Sequence, residues 1–444
     1  MSRDPLLDEL TAGPPLAERL DVACRATGVH GAALIILSPQ ERWSACWGTD
    51  ERGLEFGLST SAPAACVSRP LLAALLAGLM RRRGVSVDEE IAPHLNHSGV
   101  RNNAFFDGIS IRHLLSQTDG MGYRPLETLP LDERGCIDVA GLCAILSAEP
   151  RELPPGRVYS SSQGGYALLG ALIEQWCEQP LAHALYEQLL NPLALAAENR
   201  AAAVPPERVC PTTGAGLRLS AGELAAFLEF QQSAIYRPPL FGEMDLSFLL
   251  EQQVEYLGWS AGMTGSCLGW KSFAGGWIGQ NGSGPDYTML IRLHPKRNTA
   301  MAFVCRGVLP LAYATLARIF GTHMIEFSPP DGPRPLSPEE CLALRAPRYT
   351  GTFGNRLHRI EIFRGVTDGL EVRITQRRLS GVRALGSGKL IPATRDIFFI
   401  PPPNTFGIWF VQHVSAPDTG LDALWDGWHV WPRLTEDIQG SAPV

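Results

Sequence analysis

Residues 56–87 read FGLSTSAPAACVSRPLLAALLAGLMRRRGVSV, and the rest of the chain is best interpreted from this stretch. An apolar segment over 71–80 is followed by three arginines and Gly84. Cations near the last carbonyls, with a glycine after them, are typical of a helix C-terminus. Pro70 suits the first turn, where a missing N–H breaks no hydrogen bond. The pattern predicts a buried helix with Cys66 at or just before its N-terminus and Arg69 about one turn further on.

The composition is that of a folded protein with an acidic balance. The 444 residues include 38 basic and 45 acidic side chains, which gives a net charge of −7. An acidic chain binds nucleic acid and anionic membranes poorly, so neither is expected as a partner. The first 20 residues contain Asp and Glu without a continuous apolar core, and no run approaches the roughly 20 apolar residues of a membrane span. We therefore expect a soluble, cytoplasmic protein.

Ten cysteines are scattered along the chain, and none of them belongs to a CxxC pair. No histidine combines with a cysteine in the spacing of a metal site, and His94 and His97 have no carboxylate pair beside them. We therefore expect reduced thiols, no bound metal and no cofactor.

The order of the predicted elements points to a mixed fold. Helices are predicted over 16–27, 109–116, 165–175, 181–189 and 220–231, and strands over 28–37, 42–48, 275–279, 287–294 and 299–306. Two strands, a series of helices and three further strands favour the α+β class. In that arrangement the N- and C-terminal strands share one antiparallel sheet flanked by helices.

A second, smaller domain is predicted after a proline-rich break. The segment SPPDGPRPLS at 328–337 interrupts the pattern, so the linker is placed at 327–342. Short alternating stretches separated by turns follow it, which is typical of a small all-β domain, either a barrel or a sandwich. The predicted division is a first domain over 1–326 and a β domain over 343–444.

Six segments carry a family resemblance through their order and spacing. They are GVSVDEEIAPHL at 84–95, ISIRHLLSQTDGM at 109–121, LPPGRVYSSSQGGYALLGALIE at 153–174, QLLNPLAL at 188–195, GAGLRLSAGELAAF at 214–227, and CLGW at 267–270 with GQNGSG at 279–284. Together they resemble the serine β-lactamase and penicillin-binding-protein-like family, in its class C, esterase and D-aminopeptidase branch, over about residues 16–325. The resemblance implies that family's fold and, since members often carry one, a lipocalin-like domain at the C-terminus.

The catalytic motifs of that family are altered in this sequence. The family's Ser-x-x-Lys, whose serine accepts the acyl group and whose lysine is the base, falls on CVSR at 66–69. Its Tyr-x-Asn falls on SSQ at 161–163, and its third motif, Lys or His before a small residue and Gly, falls on QNG at 280–282. The resemblance therefore implies five candidate site residues, which are Cys66, Arg69, Ser161, Gln163 and Gln280.

Cys66 and Arg69 are chemically consistent as a pair. Arginine cannot act as a base, because its pKa lies above about 12, so a serine beside it would stay protonated. A cysteine at a helix N-terminus near a cation ionises at roughly pH 3.5–7.5 and needs no base. Without the family's tyrosine and its lysine or histidine, an amine leaves badly, whereas the thiol of a thioester leaves without protonation.

Two interpretations follow from the altered motifs. In the first, the chain is a degenerate β-lactamase-like protein, a pseudoenzyme without conventional serine hydrolase activity. In the second, Cys66 is the nucleophile of an acyl hydrolase, acyltransferase or cyclase. Its substrate is then a small-molecule or carrier-bound thioester or activated ester, as for some biosynthetic relatives. Tyr159, two residues before Ser161, replaces the missing tyrosine only if its loop is reshaped.

Overall fold

The structure is a computed structural model. It describes residues 13–95, 98–101, 103–122, 129–133, 137–148, 151, 153–193, 217–232, 240–258, 262–284 and 286–320 of the larger, N-terminal part. Beyond these it describes 350–354, 358–364, 370–378, 381–392, 397–399, 410–416, 421–425 and 430–434. The predicted linker at 327–342 lies outside the described residues.

The N-terminal part combines helices and strands. The α-helices are α1 (Leu16–Thr27), α2 (Ser68–Arg83), α3 (Ser98–Arg101), α4 (Ile111–Ser116), α5 (Val139–Ser147), α6 (Gln163–Cys177), α7 (Leu181–Leu185), α8 (Ala221–Gln232) and α9 (Leu309–Phe320). The strands are β1 (Gly31–Leu37), β2 (Arg42–Gly48), β3 (Ala62–Pro63), β4 (Arg218–Leu219), β5 (Val254–Glu255), β6 (Met263–Ser266), β7 (Lys271–Phe273), β8 (Ile278–Ser283), β9 (Thr288–His294) and β10 (Thr299–Arg306).

One antiparallel sheet organises these elements, and it confirms the predicted α+β class. Its eight strands lie in the order β2-β1-β10-β9-β8-β7-β6-β5, and Gly31 of β1 pairs with Arg306 of β10. Helices cover both faces. Residues 33 and 35 of β1 pack in the core that contains α2 and α8, while residues 34 and 36 pack in the core that contains α1 and α9. Alternate side chains of one strand therefore enter two different cores, which explains its unbroken apolar sequence.

Helix α2 is the buried helix predicted from the sequence. It is buried from residue 68 to residue 80, and Gly84 ends it with φ +67°. The helix starts at Ser68, so Pro70 lies in its first turn as predicted, and the Ser68 hydroxyl donates to the Ala65 carbonyl (2.7 Å). Cys66 lies in the single 3₁₀ turn that precedes it, Ala65–Val67. The predicted position of Cys66 just before the helix is therefore confirmed.

Several short elements differ from the sequence prediction. The strands β5 to β7 contain two to four residues each, too few for a periodic pattern, and helices α5 and α9 were also not predicted. The strand predicted at 275–279 starts at Ile278, because Gly275 and Gly276 have φ of 70° and 83° and form a turn. The helix predicted over 181–189 is α-helical to Leu185 and continues as a π-helical turn, Tyr186–Leu190.

The described residues of the C-terminal part form two antiparallel sheets, as the all-β prediction requires. The first contains β11 (Gly351–Gly354), β12 (His358–Arg364), β13 (Leu370–Arg378) and β14 (Gly381–Lys389). The second contains β15 (Ile391–Pro392), β16 (Ile397–Phe399), β17 (Phe410–Ala416), β18 (Leu421–Trp425) and β19 (Val430–Pro432). Phe353 of the first sheet shares one hydrophobic cluster with Leu424 and Trp431 of the second. The lipocalin-like character and the boundaries at 326 and 343 stay predictions.

Two further findings concern the described residues alone. None of their helices combines the length and the apolar character needed to cross a membrane. Seven of the ten cysteines lie among them, and all seven are free thiols, namely Cys24, Cys46, Cys66, Cys143, Cys177, Cys267 and Cys305.

A glycine behind α2 gives a test of this packing. Gly269 has φ +83°, and a Cβ there would lie 2.6 Å from the Ala73 Cβ and 3.0 Å from the Arg69 carbonyl oxygen. We expect Gly269→Ala to lower the free energy of unfolding by about 1–2 kcal/mol for the left-handed backbone, and by about 1–3 kcal/mol more for overpacking. Gly84→Ala is the matched control, because its φ is +67° and its Cβ would meet nothing within 4 Å. Equal urea midpoints for the two variants would contradict the close packing.

Candidate active site

Cys66 occupies a fixed position between a helix start and a strand. It is half-buried, and the preceding Ala65 has φ +44°, which is unusual for a residue with a side chain. Strand β8 packs closely against the same turn. A Cβ added at Gly282 of this strand would lie 2.2 Å from the Ala64 carbonyl oxygen. A strained backbone persists only where its surroundings enforce it, and such positions cluster at functional sites.

Arg69, one turn beyond Cys66, is a buried cation. Only 2% of the residue is exposed, Nη1 donates to Gln117 Oε1 (2.9 Å), and the guanidinium carbon lies 5.0 Å from the centroid of the Tyr166 ring. Among the described residues, Nε and Nη2 have no hydrogen-bond acceptor and no carboxylate forms an ion pair with Arg69. A buried charge without a counter-ion is costly, so this site favours an anion.

Cys66 is the strongest favourable electrostatic neighbour of that cation. Burial lowers the pKa of Arg69, but the thiol of Cys66, followed by nearby phenol groups, raises it, and the net pKa lies above its usual value. Arg69 is thus charged at every physiological pH. Cys66 and Arg69 therefore interact electrostatically, and their role as a catalytic pair stays a prediction.

A polar network next to Arg69 was not predicted from the sequence. Lys271 Nζ donates to the Tyr159 hydroxyl (3.0 Å), and that hydroxyl donates to Gln117 Oε1 (3.3 Å), the oxygen that also accepts from Arg69. Gln117 ends helix α4 with φ +58° and donates from Nε2 to the Ser162 carbonyl (3.0 Å). The loop that carries Tyr159 therefore places this phenol beside the motif position occupied by Ser161.

Lys271 is the functional candidate that motif comparison missed. It lies in the three-residue strand β7 and is 1% exposed. Burial, and next the charge of Arg69, lower its pKa well below the usual value for lysine. The one available signal was scarcity, because lysine occurs only at 271, 296 and 389 among the 38 basic residues.

The other three predicted site residues are Ser161, Gln163 and Gln280, and each has different contacts. Ser161 is half-buried and hydrogen-bonds with Tyr159, so it belongs to the network. Gln163 is the first residue of α6, and its Oε1 is buried without a donor among the described residues. The amide of Gln280 is already engaged, since Nε2 donates to the Gly269 carbonyl (3.2 Å) and Oε1 accepts from Asn281 N (3.1 Å).

Asp119, two residues after Gln117, is a further buried ionisable group. Its Oδ1 accepts from the backbone N–H of Met121 (2.9 Å), whereas Oδ2 has no donor in the described part of the chain. Burial raises the pKa of Asp119 to about 7, against the smaller opposing effects of backbone N–H groups and Arg151. A search for metal sites among the described residues finds no group of three His, Cys, Asp or Glu side chains.

The described residues thus form an antiparallel sheet covered by helices, with Cys66 just before the buried helix α2. The chain belongs to the β-lactamase family, whose model matches residues 16–321. This match covers most of the N-terminal part, including α1, the whole sheet and α9.

Solved structures share the fold at low sequence identity. The crystal structure of SurE with D-Leu aligns with a TM-score of 0.70 and 21% identity, covering 96% of this chain and 99% of that one. The octameric penicillin-binding protein homologue from Pyrococcus abyssi aligns with a TM-score of 0.57 and 15% identity, covering 94% and 98%. The D-amino acid amidase from Ochrobactrum anthropi SV3 complexed with L-phenylalanine gives 0.55 and 16%, covering 70% and 97%. No curated protein matches the chain.

The raised pKa of Asp119 leads to a stability prediction. The folded state keeps this proton up to about pH 7, whereas an unfolded aspartate loses it near pH 4. The contribution of Asp119 is therefore fully present below about pH 4 and is lost as the pH rises to about 7, with a slope of at most about 1.4 kcal/mol per pH unit.

Asp119→Asn has no such proton to lose. We expect the free energy of unfolding of this variant to fall less between about pH 4 and 7 than that of the unmodified protein. Asp107→Asn, at an exposed position, is the control and should keep the original slope. Urea unfolding at a series of pH values measures all three proteins, and parallel curves for Asp119→Asn would refute the assignment.

Proposed function

We propose that the protein is a cysteine-dependent acyl hydrolase or acyltransferase that acts on thioesters or other activated esters. The observation that carries this proposal is the buried guanidinium of Arg69 next to Cys66, without a carboxylate partner among the described residues. Such a cation is stabilised when an anion forms beside it. The Cys66 thiolate is the anion that this chain itself supplies.

The reaction divides into two transfers. The Cys66 thiolate attacks the acyl carbon, a carbon–sulfur bond forms, and the bond from that carbon to the leaving thiolate or alkoxide breaks. The acyl group then passes from Cys66 to water or another nucleophile, and the thiolate is regenerated beside Arg69. Because thiolates are good leaving groups, neither transfer of a thioester needs a strong acid on the departing atom.

The structural neighbours favour amino-acid-derived acyl groups. A structure of SurE contains D-Leu, and a structure of the D-amino acid amidase contains L-phenylalanine. We therefore propose amino-acyl or peptidyl thioesters, free or attached to a carrier, as the substrate class. The match to SurE extends over nearly the whole chain, so the C-terminal sheets belong to the shared architecture.

A protein without turnover is the second candidate. Gln280 favours it, because the amide at this motif position is bound to Gly269 and Asn281 and has no titratable group to offer. In that case Cys66 packs like an ordinary small residue, and the fold has a binding role.

Acylation of Cys66 separates the two candidates. After incubation with an N-acetylcysteamine thioester of D- or L-leucine, intact mass should show one added acyl group. Cys66→Ala should lose the adduct, whereas Cys46→Ala, which removes an exposed thiol elsewhere, should keep it. Arg69→Gln should slow acylation, because it removes the buried cation that stabilises negative charge at Cys66. If no thioester acylates the protein under any of these conditions, the binding role replaces the enzyme.

Conventional β-lactam hydrolysis should be absent. The departing amine of a β-lactam needs a proton, and Ser161 and Gln280 stand where the family resemblance places a tyrosine and a lysine or histidine. We expect nitrocefin turnover far below the roughly 1–10³ per second of ordinary enzymes. The double variant Cys66→Ser with Arg69→Lys should gain little, because the other two motifs are unchanged. Fast turnover by the unmodified protein would show that another acid serves this step.

A further inference from the structure

We propose that Lys271 and Tyr159 form a relocated proton-carrying pair that deprotonates the nucleophile attacking acyl-Cys66. The inference rests on the proposed function and extends it to the second transfer. Neither residue stands at one of the three motif positions, at 66–69, 161–163 and 280–282. The proton acceptor for the second transfer, which those positions lack, therefore comes from elsewhere in the fold.

The contacts place the pair against the Cys66–Arg69 site. Lys271 Nζ lies 3.0 Å from the Tyr159 hydroxyl, and both residues are 1% exposed. The same hydroxyl shares Gln117 Oε1 with Arg69. Cys66 interacts electrostatically with Lys271 and with Tyr159, so the thiol and the pair lie in one electrostatic environment.

The surroundings of Lys271 favour its unprotonated amine. Burial disfavours the ammonium, and two arginines that cannot lose their protons repel it. Cys66 acts on the pKa of Lys271 in the opposite direction. Among the described residues, the titratable and charged groups that face Lys271 include Cys66, Arg69, Tyr159, Tyr256 and Arg292.

The choice of residue supports a proton-accepting role. This chain has only three lysines among its 38 basic residues, yet one of them is buried at this position. Arginine would fill the same space with a permanent charge, whereas a buried lysine readily becomes a neutral base. Tyr159 is held in place by ring packing, with the Tyr256 ring centroid 4.5 Å away.

The proton balance of the second transfer can be written through this pair. When Lys271 becomes neutral, the Tyr159 phenol changes its hydrogen-bond acceptor from Gln117 Oε1 to the amine. The attacking group forms a bond to the acyl carbon and gives its proton to the phenol oxygen, while the phenol proton passes to Lys271. The bond from the acyl carbon to Cys66 breaks, and its electron pair stays on sulfur beside Arg69. The next leaving thiolate, released during acylation, takes the proton back from the Lys271 ammonium.

The experiment measures loss of the acyl group from Cys66 directly. Cys66 is acylated in two parallel reactions, with a leucyl N-acetylcysteamine thioester and with the chemically activated p-nitrophenyl acetate, and the acylated Cys66 peptide is followed by mass spectrometry. Lys271→Met should slow deacylation by about 10²–10⁴-fold, the usual worth of a general base, without preventing acylation. Tyr159→Phe, which keeps the ring and removes the hydroxyl, should act in the same direction. Lys296→Met, at an exposed turn, is the matched control and should behave like the unmodified protein.

Two readouts distinguish proton transfer from a structural effect. The deacylation rate of the unmodified protein should rise with pH as Lys271 loses its proton, and this titration should disappear in Lys271→Met. Hydroxylamine, which attacks without a base, should restore deacylation of Lys271→Met to nearly the rate of the unmodified protein.

The outcomes separate this inference from the proposed function. Equal deacylation in the unmodified protein and Lys271→Met, or failure of hydroxylamine to rescue the variant, overturns the inference. If p-nitrophenyl acetate acylates Cys66 but the thioester does not, the thioester function is refuted. If deacylation then still depends on Lys271, the role of Lys271 and Tyr159 is supported. Absence of an adduct with both donors overturns both.

Discussion

The buried charge of Arg69 is the constraint on which the rest of this site depends. Its guanidinium is enclosed by the Gln117 side chain and the Tyr166 ring, and a single oxygen, Gln117 Oε1, accepts one of its N–H groups. Nothing in the described part of the chain neutralises it with a carboxylate. The chemistry around it must therefore tolerate a fixed positive charge or use it. A thiolate at position 66 uses it directly, which a neutral serine hydroxyl does not.

The architecture was largely predictable because its signals are local or periodic. Short sequence patterns predict the end of α2, where arginines precede a glycine. Runs of apolar residues predict the strands β1, β9 and β10. The pairing of β1 with β10 was expected from the order of elements, because strands before and after a series of helices can share one antiparallel sheet. Strand β7 was missed for the opposite reason, since its three residues have no period of their own.

Sequence spacing predicted only the proximity of Cys66, in the 3₁₀ turn before α2, and Arg69, in the first turn of that helix. Cys66 and Arg69 are one turn apart, so their spacing in sequence already places them together. The hydrogen bond from Lys271 to Tyr159 joins residues 112 positions apart, and only the packing of β7 beside the loop before α6 creates it. Motif comparison asks which residue stands at an expected position. It therefore reported Ser161 and admitted Tyr159, two residues earlier, only with a reshaped loop. The structure brings the Tyr159 hydroxyl to the same network as Ser161.

In this chain a cysteine–arginine pair stands at the positions of the family's serine–lysine pair. Arginine can supply the positive charge of that lysine but cannot act as a base. In the family pattern the lysine next to the nucleophile is both its base and a local cation. Arginine can provide only the charge, so the nucleophile must ionise without help, and cysteine is the residue that does so near neutral pH. Any group that must exchange a proton during the second transfer then has to lie outside that motif. Lys271 is suited to this requirement, because its burial, and next the charge of Arg69, lower its pKa well below the usual value for lysine.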